Sequence, residues 1–542
     1  MLPDLLPRRN KKKPKTQPEL SQPLQSAICL FNRRRLGVYC DSGSGRRSYF
    51  GDKETVMRLG EIVVGRGYAT VAQIDAATQR QKTQGGRLGE NLVALEVITA
   101  DQLDRIMHST PTTPRTVADI GISSASLMNL LLKTMSIEQR EILPDLSERL
   151  KLPANLIQSL LEEAVKRQYA QAIGSINRGP VSYVRYSLSE RGRLAALEAS
   201  RQNLYMGSMP VSLQAFQEQI LRQRITNEQI DSAALRSAFD GLVVPEHYLR
   251  KIGPAIGAGR TVLLFGPPGT GKTTIATRVA ALFRDVVYIP YAVEIDGQIM
   301  KVFDATIHKP AISQDQQQEL ASKPSIQREA FDERWVACKR PVVIAGGELT
   351  LEMLDLQFGQ EAKFYEAPLH VKALNGVFVI DDFGRQQVSP TSLLNRWIVP
   401  MESRFDFLKL NTGKSFMIPF DELLIFSTNL SPADLMDPAF LRRIPYKIKL
   451  SESTRDEYRA IFDPVSRHYG LELTDAVFDG IIELLTRHNY GLASYQPKFI
   501  CEQVIEASKY EGVPPKLTAK RAAEALANLY VDIEDSGETA SN

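Results

Sequence analysis

The amino-acid sequence predicts a multidomain chain. An α/β core with a parallel sheet is closed by a helical lid and preceded by a small helical-repeat domain and a winged-helix-like domain. Three observations lead there. From about residue 241 short apolar strands alternate with helical stretches: TVLLFG, DVVYIP, RPVVIA, GVFVIDD and ELLIFSTN in turn, and strands separated by helices build parallel sheets. After Leu450 the pattern turns helical to about residue 531. Ahead of the core, an Arg-Leu-Gly opening occurs twice. With roughly 150 residues per domain, the 542 residues suit about three or four domains.

Composition narrows the class. Hydrophobic residues make up 43% and charged residues 24%, the balance of a folded protein rather than a disordered, collagen-like or rod-like one. The formal net charge is +3, so bulk charge argues for neither nucleic acid nor membrane. The 4 cysteines, Cys29, Cys40, Cys338 and Cys501, form no CxxC pair, which excludes a zinc ribbon and a disulfide framework. A reduced, cytoplasmic compartment fits. No apolar run reaches the roughly 18 residues that an integral membrane segment needs, and the N-terminus lacks the apolar stretch of a secretory signal.

The elements follow in order. Residues 1–54 are rich in Pro, Gln, Ser, Lys and Arg, with basic clusters at Arg8–Lys15 and Arg33–Arg35. They read as a disordered basic tail or as an arm for nucleic acid or lipid. Residues 55–110 hold the repeat. RLGEIVVGRGYATVAQIDAATQRQ begins at Arg58 and RLGENLVALEVITADQLDRIM at Arg87. Thr70 and Thr99 fall at matching places and predict N-caps. Pro111–Thr116 is a linker. Over 117–200 the order is three helices, strands, then a helix, with a wing strand at Val181–Leu188: a winged-helix-like domain. Residues 201–240 form a helical linker, 241–450 the α/β core, 451–531 the lid and 532–542 a polar tail.

The chemistry centres on Gly266-Pro267-Pro268-Gly269-Thr270-Gly271-Lys272-Thr273-Thr274, which matches GxxxxGK[ST]. TVLLF precedes it and TIATRVAALF follows it, the strand and helix this loop requires. The glycines let backbone N–H groups wrap phosphates. Lys272 brings a cation to the β- and γ-phosphates, and Thr273 offers a hydroxyl to Mg²⁺. The strand ending Asp381-Asp382 supplies the next part: Asp381 to hold the metal and Asp382 to polarise the attacking water. Asn429 ends ELLIFSTN and can hold that water or the γ-phosphate; an ordinary strand-end turn is the alternative. Arg442 and Arg443 are adjacent in AFLRRIPYKIKL. One of them can stabilise charge on the transferring phosphoryl group from a neighbouring subunit; a solvated surface pair is the alternative. Between the loop and the acidic strand the chain is long, suited to lining a pore or docking a client. Trp397, on a helix after the acidic strand, reads as core.

The succession GPPGTGKTT, FVIDD, FSTN, FLRR and a helical C-terminus resembles the AAA+ ATPases over about 241–531. The resemblance implies ATP and Mg²⁺ as ligands and a ring of copies, commonly a hexamer, with ATP between subunits. Such lids carry a nucleotide-sensing Arg. In SYQPKFICEQVIEAS its place is taken by Lys498, a point charge without a bidentate fork. The tandem Arg-Leu-Gly repeat is similar to the MshEN-type N-terminal domain of type II secretion and type IV pilus ATPases. Some members bind cyclic di-GMP, which implies a site made of Arg58, Leu59, Gly60, Ile74, Gln81, Arg87, Leu88, Gly89 and Leu103. Thr78 and Glu96 depart from that pattern, and a purely structural or protein-docking module is the alternative use of the repeat.

Together these features predict an ATPase that remodels a protein client in the bacterial cytoplasm, with front domains that recruit the client or sense cyclic di-GMP. Two alternatives stand beside it. A secretion or pilus motor follows from the repeat, although no His-rich box follows the loop. An ATP-switched DNA-binding protein follows from the winged helix, although Glu162 and Glu163 offset Lys166 and Arg167 on its candidate recognition helix, leaving few phosphate contacts.

Overall fold

Thr70 and Thr99 each cap a helix. Thr70 accepts from Gln73 N–H and opens α1, Val71–Gln84; after α2, Leu88–Ala94, Thr99 does the same with Gln102 and opens α3, Ala100–Ser109. Both are capping boxes, in which the third helical residue's side chain returns a bond to the cap. The computed structural model describes residues 59–60, 63–64, 68–85, 87–178, 181–227, 230–283, 285–311 and 331–530. The expected basic tail, Arg58 and the polar tail lie outside the described residues. All described residues belong to one unit, Lys53–Asn542.

The elements of 117–202 fall where the apolar spacing places them. They are α4 (Ser124–Ile137), α5 (Leu143–Leu150), α6 (Ala154–Lys166), the antiparallel pair β1 (Ala170–Arg178) and β2 (Val181–Leu188), and α7 (Glu190–Gln202). Lys151 ends α5 in the left-handed region, with φ 56°. Leu127, Leu131, Leu146, Ile157, Leu161 and Tyr186 fill a shared core. The linker region contributes β3 (Val211–Ser212), α8 (Leu213–Arg222) and α9 (Ser232–Ala238), and α10 (Glu246–Gly257) leads to the core.

The α/β core is a parallel sheet. Its strands are β4 (Val262–Phe265), β9 (Val342–Ala345), β12 (Val377–Ile380), β15 (Leu423–Thr428) and β16 (Tyr446–Lys449), in the order β16-β4-β15-β12-β9, every pair parallel. Helix α11, Lys272–Val279, follows β4. One strand expectation needs correction, and one strand was missed. DVVYIP, as β5 (Val286–Pro290), does not join this sheet; it pairs antiparallel with β8 (Trp335–Lys339). Its apolar run records burial on both faces, which two different sheets can supply. The parallel edge is taken instead by β16, which alternates exposed and buried residues and so lacks a continuous apolar run.

The stretch between loop and acidic strand builds a second sheet. Its members β6 (Ala292–Ile295) and β7 (Gln298–Lys301) form a hairpin, and β10 (Gln357–Phe358), β11 (Tyr365–Glu366) and β3 complete the order β10-β11-β7-β6-β3. Asp296 and Gly297 turn the hairpin with φ 56° and 77°, the Asp-Gly turn that matches strand twist. The tandem repeat packs into this region: Leu59, Ile74, Leu88, Leu92 and Ile106 share one buried cluster with Val287, Met300, Trp335, Leu408 and Ile418.

Helix α12, Pro390–Ser403, lies behind the parallel sheet and buries Trp397 against Phe378, with ring centres 5.4 Å apart. The hairpin β13 (Phe405–Lys409) and β14 (Ser415–Pro419) follows, then the short α13, Pro438–Leu441. The lid comprises α14 (Arg455–His468), α15 (Asp475–Arg487), α16 (Gln496–Glu511) and α17 (Ala519–Leu529), packed around Tyr458, Phe462, Phe478, Ile481 and Ile500.

One buried ion cluster joins α12 to β13. Arg396 forks onto Asp406 at 2.8 and 2.7 Å, and His370 Nε2 lies 2.9 Å from its Oδ2. Burial pushes the Asp406 carboxyl up, but hydrogen bonds from His370 and Arg396 outweigh it and hold the group at about 2. A depressed carboxyl stabilises the fold above its unfolded value near 3.9 and loses that contribution as pH falls through its folded value. Asp406→Asn is therefore expected to lower the urea-unfolding free energy by roughly 2–3 kcal/mol at pH 7. The deficit should be about half as large at pH 3. An equal deficit at both pH values would show that shape, not charge, is what the substitution removes.

Candidate active site

The loop after β4 has positions that only glycine fits. Gly266 has φ 146°, and a methyl there would lie 2.0 Å from the Leu450 carbonyl oxygen; Gly269 has φ 76°, and a methyl would lie 2.4 Å from the Tyr495 ring. The loop's carbonyls are engaged. Lys272 Nζ donates to Gly266 O at 3.0 Å and Pro267 O at 2.7 Å, Thr270 Oγ1 to Pro267 O at 3.0 Å, and Ser494 to Gly269 O. Burial holds the Lys272 ammonium below its usual range, while Asp381 and Asp382 act in the opposite sense.

Strand register brings the other parts to the same edge. Ile380 is level with Phe426, and Thr428 with Phe265, so Asp381, Asp382, Asn429 and Gly266 all leave the C-terminal ends of neighbouring strands. That edge is where open α/β sheets place ligands. Thr273 Oγ1 donates to Asp381 Oδ2 at 2.8 Å. Asn429 Nδ2 donates to Asp382 Oδ1 at 3.3 Å. Asp382 has φ 49°, a left-handed conformation that costs a non-glycine residue about 1 kcal/mol. Gln386 braces it, donating from Nε2 to Asp381 O at 2.9 Å and Asp382 O at 3.2 Å while accepting from Gly384 N–H at 2.8 Å.

The donors fit Mg²⁺. Thr273 and Asp381 offer two adjacent hard oxygens, and Mg²⁺ binds through one or two protein ligands plus phosphates and water. Among the described residues no group of three or more His, Cys, Asp and Glu could hold a metal by itself.

A cavity of about 570 Å³ adjoins the loop, lined in part by Thr270, Gly271, Thr274, Tyr248, Val243 and Lys498. Its walls combine apolar side chains with loop backbone, as a nucleoside requires. Lys498 is exposed and lies 3.7 Å from Glu502 on its own helix. Arg443 binds Glu402 at 2.5 Å and the Ala439 carbonyl at 2.9 Å. Arg442 is exposed.

The residues of the Arg-Leu-Gly repeat are brought together, but in packing. A methyl on Gly60 would meet Ile74 at 3.1 Å and Leu88 at 3.8 Å; one on Gly89 would meet Leu103 at 2.6 Å and Leu59 at 3.1 Å. The two sets correspond, so each copy's glycine receives its own helix's apolar residue and the other copy's Leu. Leu59, Ile74 and Leu88 are buried; Gln81 and Arg87 are half-buried. Thr78 returns its hydroxyl to the Ile74 carbonyl at 2.8 Å, and Glu96 adopts φ 56°.

Sequence reasoning missed Gln386, Ser494 and Tyr495. A Gln shortly after paired acids and a Ser-Tyr at a helix start carry no periodic signal.

Comparison with known proteins adds the following. Residues 262–315 match the family described as ATPase family associated with various cellular activities (AAA), and residues 454–528 match Domain of unknown function (DUF8689). No protein of curated function matches. Among solved structures, the chain is similar to a mutant of Thermotoga maritima RuvB at 14% identity, over 55% of this chain and 74% of that one, with a TM-score of 0.32. It is also similar to the Thermotoga maritima RuvB Holliday junction branch migration motor at 15% identity, over 60% and 74%, with a TM-score of 0.28. A FIGL-1 AAA domain in complex with ADP matches at 17% identity, over 56% and 84%, with a TM-score of 0.28.

Proposed function

We propose that this chain, which carries an AAA ATPase domain, hydrolyses ATP to ADP and phosphate and uses the cycle to remodel a protein client as a hexameric ring in the cytoplasm. The observation that carries the reading is the pairing of Thr273 with Asp381 and of Asp382 with Asn429 at one sheet edge. Loop N–H groups and Lys272 hold the phosphates, and Thr273 and Asp381 hold the metal. Mg²⁺, when bound, neutralises charge on the β- and γ-oxygens. Asp382 accepts the proton of the attacking water, which Asn429 orients. Thr274 and Lys498 border the nucleoside cavity. An Arg of the 442–443 pair reaches the γ-phosphate of the next copy.

The client reading draws on exposed apolar side chains. Ile173, Ile176, Val181, Val184, Leu194 and Leu197 are all exposed on β1, β2 and α7, which suits a protein-binding use of the winged-helix-like domain better than DNA. On α6, Glu163 binds Arg167 at 2.7 Å, which reduces the cationic face that DNA would need. The tandem repeat, similar to the MshEN type, enters either as a docking module or as a cyclic di-GMP site; the packing of Gly60 on Ile74 and Leu88 and of Gly89 on Leu103 and Leu59 suits both uses. Among the described residues no helix is long and apolar enough to cross a membrane.

The test is phosphate release by the full chain with Mg·ATP, with mass measured in each nucleotide state. Lys272→Ala is expected to lower the rate at least ~100-fold. A parent chain that neither binds nor hydrolyses ATP would sink the proposal. Adding cyclic di-GMP to the same assay separates the two uses of the repeat: a changed rate makes the nucleotide a regulator, and an unchanged rate leaves the repeat as a docking module.

A further inference from the structure

The loop carbonyl of Gly269 is held by the lid. Ser494 donates to it twice, from its backbone N–H and its hydroxyl, each at 2.8 Å. The Tyr495 ring covers the same residue, leaving no room for a side chain there. This grip is itself fixed. Buried Gln496 accepts from Ala493 N–H at 2.9 Å and donates to Gly491 O at 2.9 Å and to the Tyr530 hydroxyl at 2.6 Å. The Tyr530 hydroxyl also meets that of Tyr495 at 3.1 Å, and its ring stacks on Tyr490 with centres 3.8 Å apart.

The geometry has a consequence for the loop. A trans peptide is planar, with C=O and the following N–H pointing in opposite directions. Drawing the Gly269 carbonyl toward the lid turns the Thr270 N–H away from the lid. Gly269 cannot hold this orientation by itself, because glycine populates both signs of φ. Lys498 does not supply the hold, since its exposed ammonium faces Glu502.

We infer that Ser494 and Tyr495 are positioning residues of the nucleotide site. They set the Gly269–Thr270 peptide so that the Thr270 N–H serves the phosphates, and they make lid placement a determinant of nucleotide affinity. The inference rests on the proposed ATPase reading.

The experiment is calorimetric titration of the full chain with Mg·ADP, alongside steady-state hydrolysis of ATP. Ser494→Ala is expected to raise the ADP Kd about three- to tenfold, the weight of one hydrogen bond. KM should rise in step, and kcat should stay within about twofold, since the hydroxyl touches no reacting atom. Ser494→Thr, which keeps the hydroxyl, should return Kd to within about twofold of the parent. Tyr495→Ala should weaken binding, and Tyr495→Phe, which keeps the ring, should do so less. A Ser494→Ala chain that binds ADP like the parent overturns the inference, and so does a Ser494→Thr chain as weak as Ser494→Ala. If Ser494→Ala melts below the parent without nucleotide, Tyr530→Phe decides. It loses only the hydroxyl bonds to Tyr495 and Gln496, and an unchanged Kd there overturns the inference. Failure of the underlying reading looks different: the parent itself then fails to bind ADP, or Lys272→Ala binds it equally well.

Discussion

Asp382→Asn is expected to slow ATP turnover by a factor of about 10²–10⁴, the usual contribution of a positioned base, while ATP affinity stays within a few-fold. The two acids have separate partners. Asp381 accepts from Thr273, and Asp382 accepts from Asn429, so one carboxylate meets the hydroxyl proposed to hold the metal and the other the amide that would share the attacking water. The side chain of Asp is a methylene shorter than that of Glu. Here the left-handed backbone at Asp382, braced by Gln386, sets where the shorter carboxylate points. Asp381→Asn should behave differently: its main change should be a higher Mg²⁺ requirement. Single-turnover hydrolysis and ATP titration of both variants make the check. An Asp382→Asn chain that turns over at the parent rate would move the base to another residue.

How much of this was legible in the sequence depended on locality. The phosphate loop was legible because its parts are contiguous and its glycines have backbone reasons, such as the Leu450 carbonyl against Gly266. The paired acids and Asn429 were legible because each ends an apolar strand. Thr70 and Thr99 were legible because a cap bonds only three residues away. Partnership between distant segments was not. Nothing in DVVYIP distinguishes a central parallel strand from one paired with β8. YKIK conceals an edge strand because only one of its faces is buried. The Ser494–Gly269 contact spans most of the core, and its donors are ordinary residue types. The repeat was legible as a repeat, but its purpose was not: Gly60 and Gly89 are small because an Ile or Leu side chain occupies the space, a constraint that a ligand-binding motif and a packing motif share.

The two adjacent arginines should separate in one experiment. Arg443 is tied to Glu402 and to the Ala439 carbonyl, so it already has work within its own chain. Arg442, the C-cap of α13, is exposed and makes no side-chain hydrogen bond or ion pair among the described residues. An arginine that acts on a neighbour's γ-phosphate must be free to leave its own surface, which selects Arg442. Arg442→Ala is expected to lower kcat by about 10³-fold or more with nucleotide binding retained, the scale of a lost arginine finger. Arg443→Ala should cost about 1 kcal/mol of stability, the weight of a partly exposed ion pair, with a far smaller loss of rate. Mixing then tests whether the action crosses between copies. Lys272→Ala supplies Arg442, and Arg442→Ala supplies an intact loop, so combining the two inactive chains should restore hydrolysis at the interfaces where the intact parts meet. If the mixture stays silent while mass measurements show mixed rings, Arg442 acts within its own chain or not at all, and the shared-site part of the proposal falls with it.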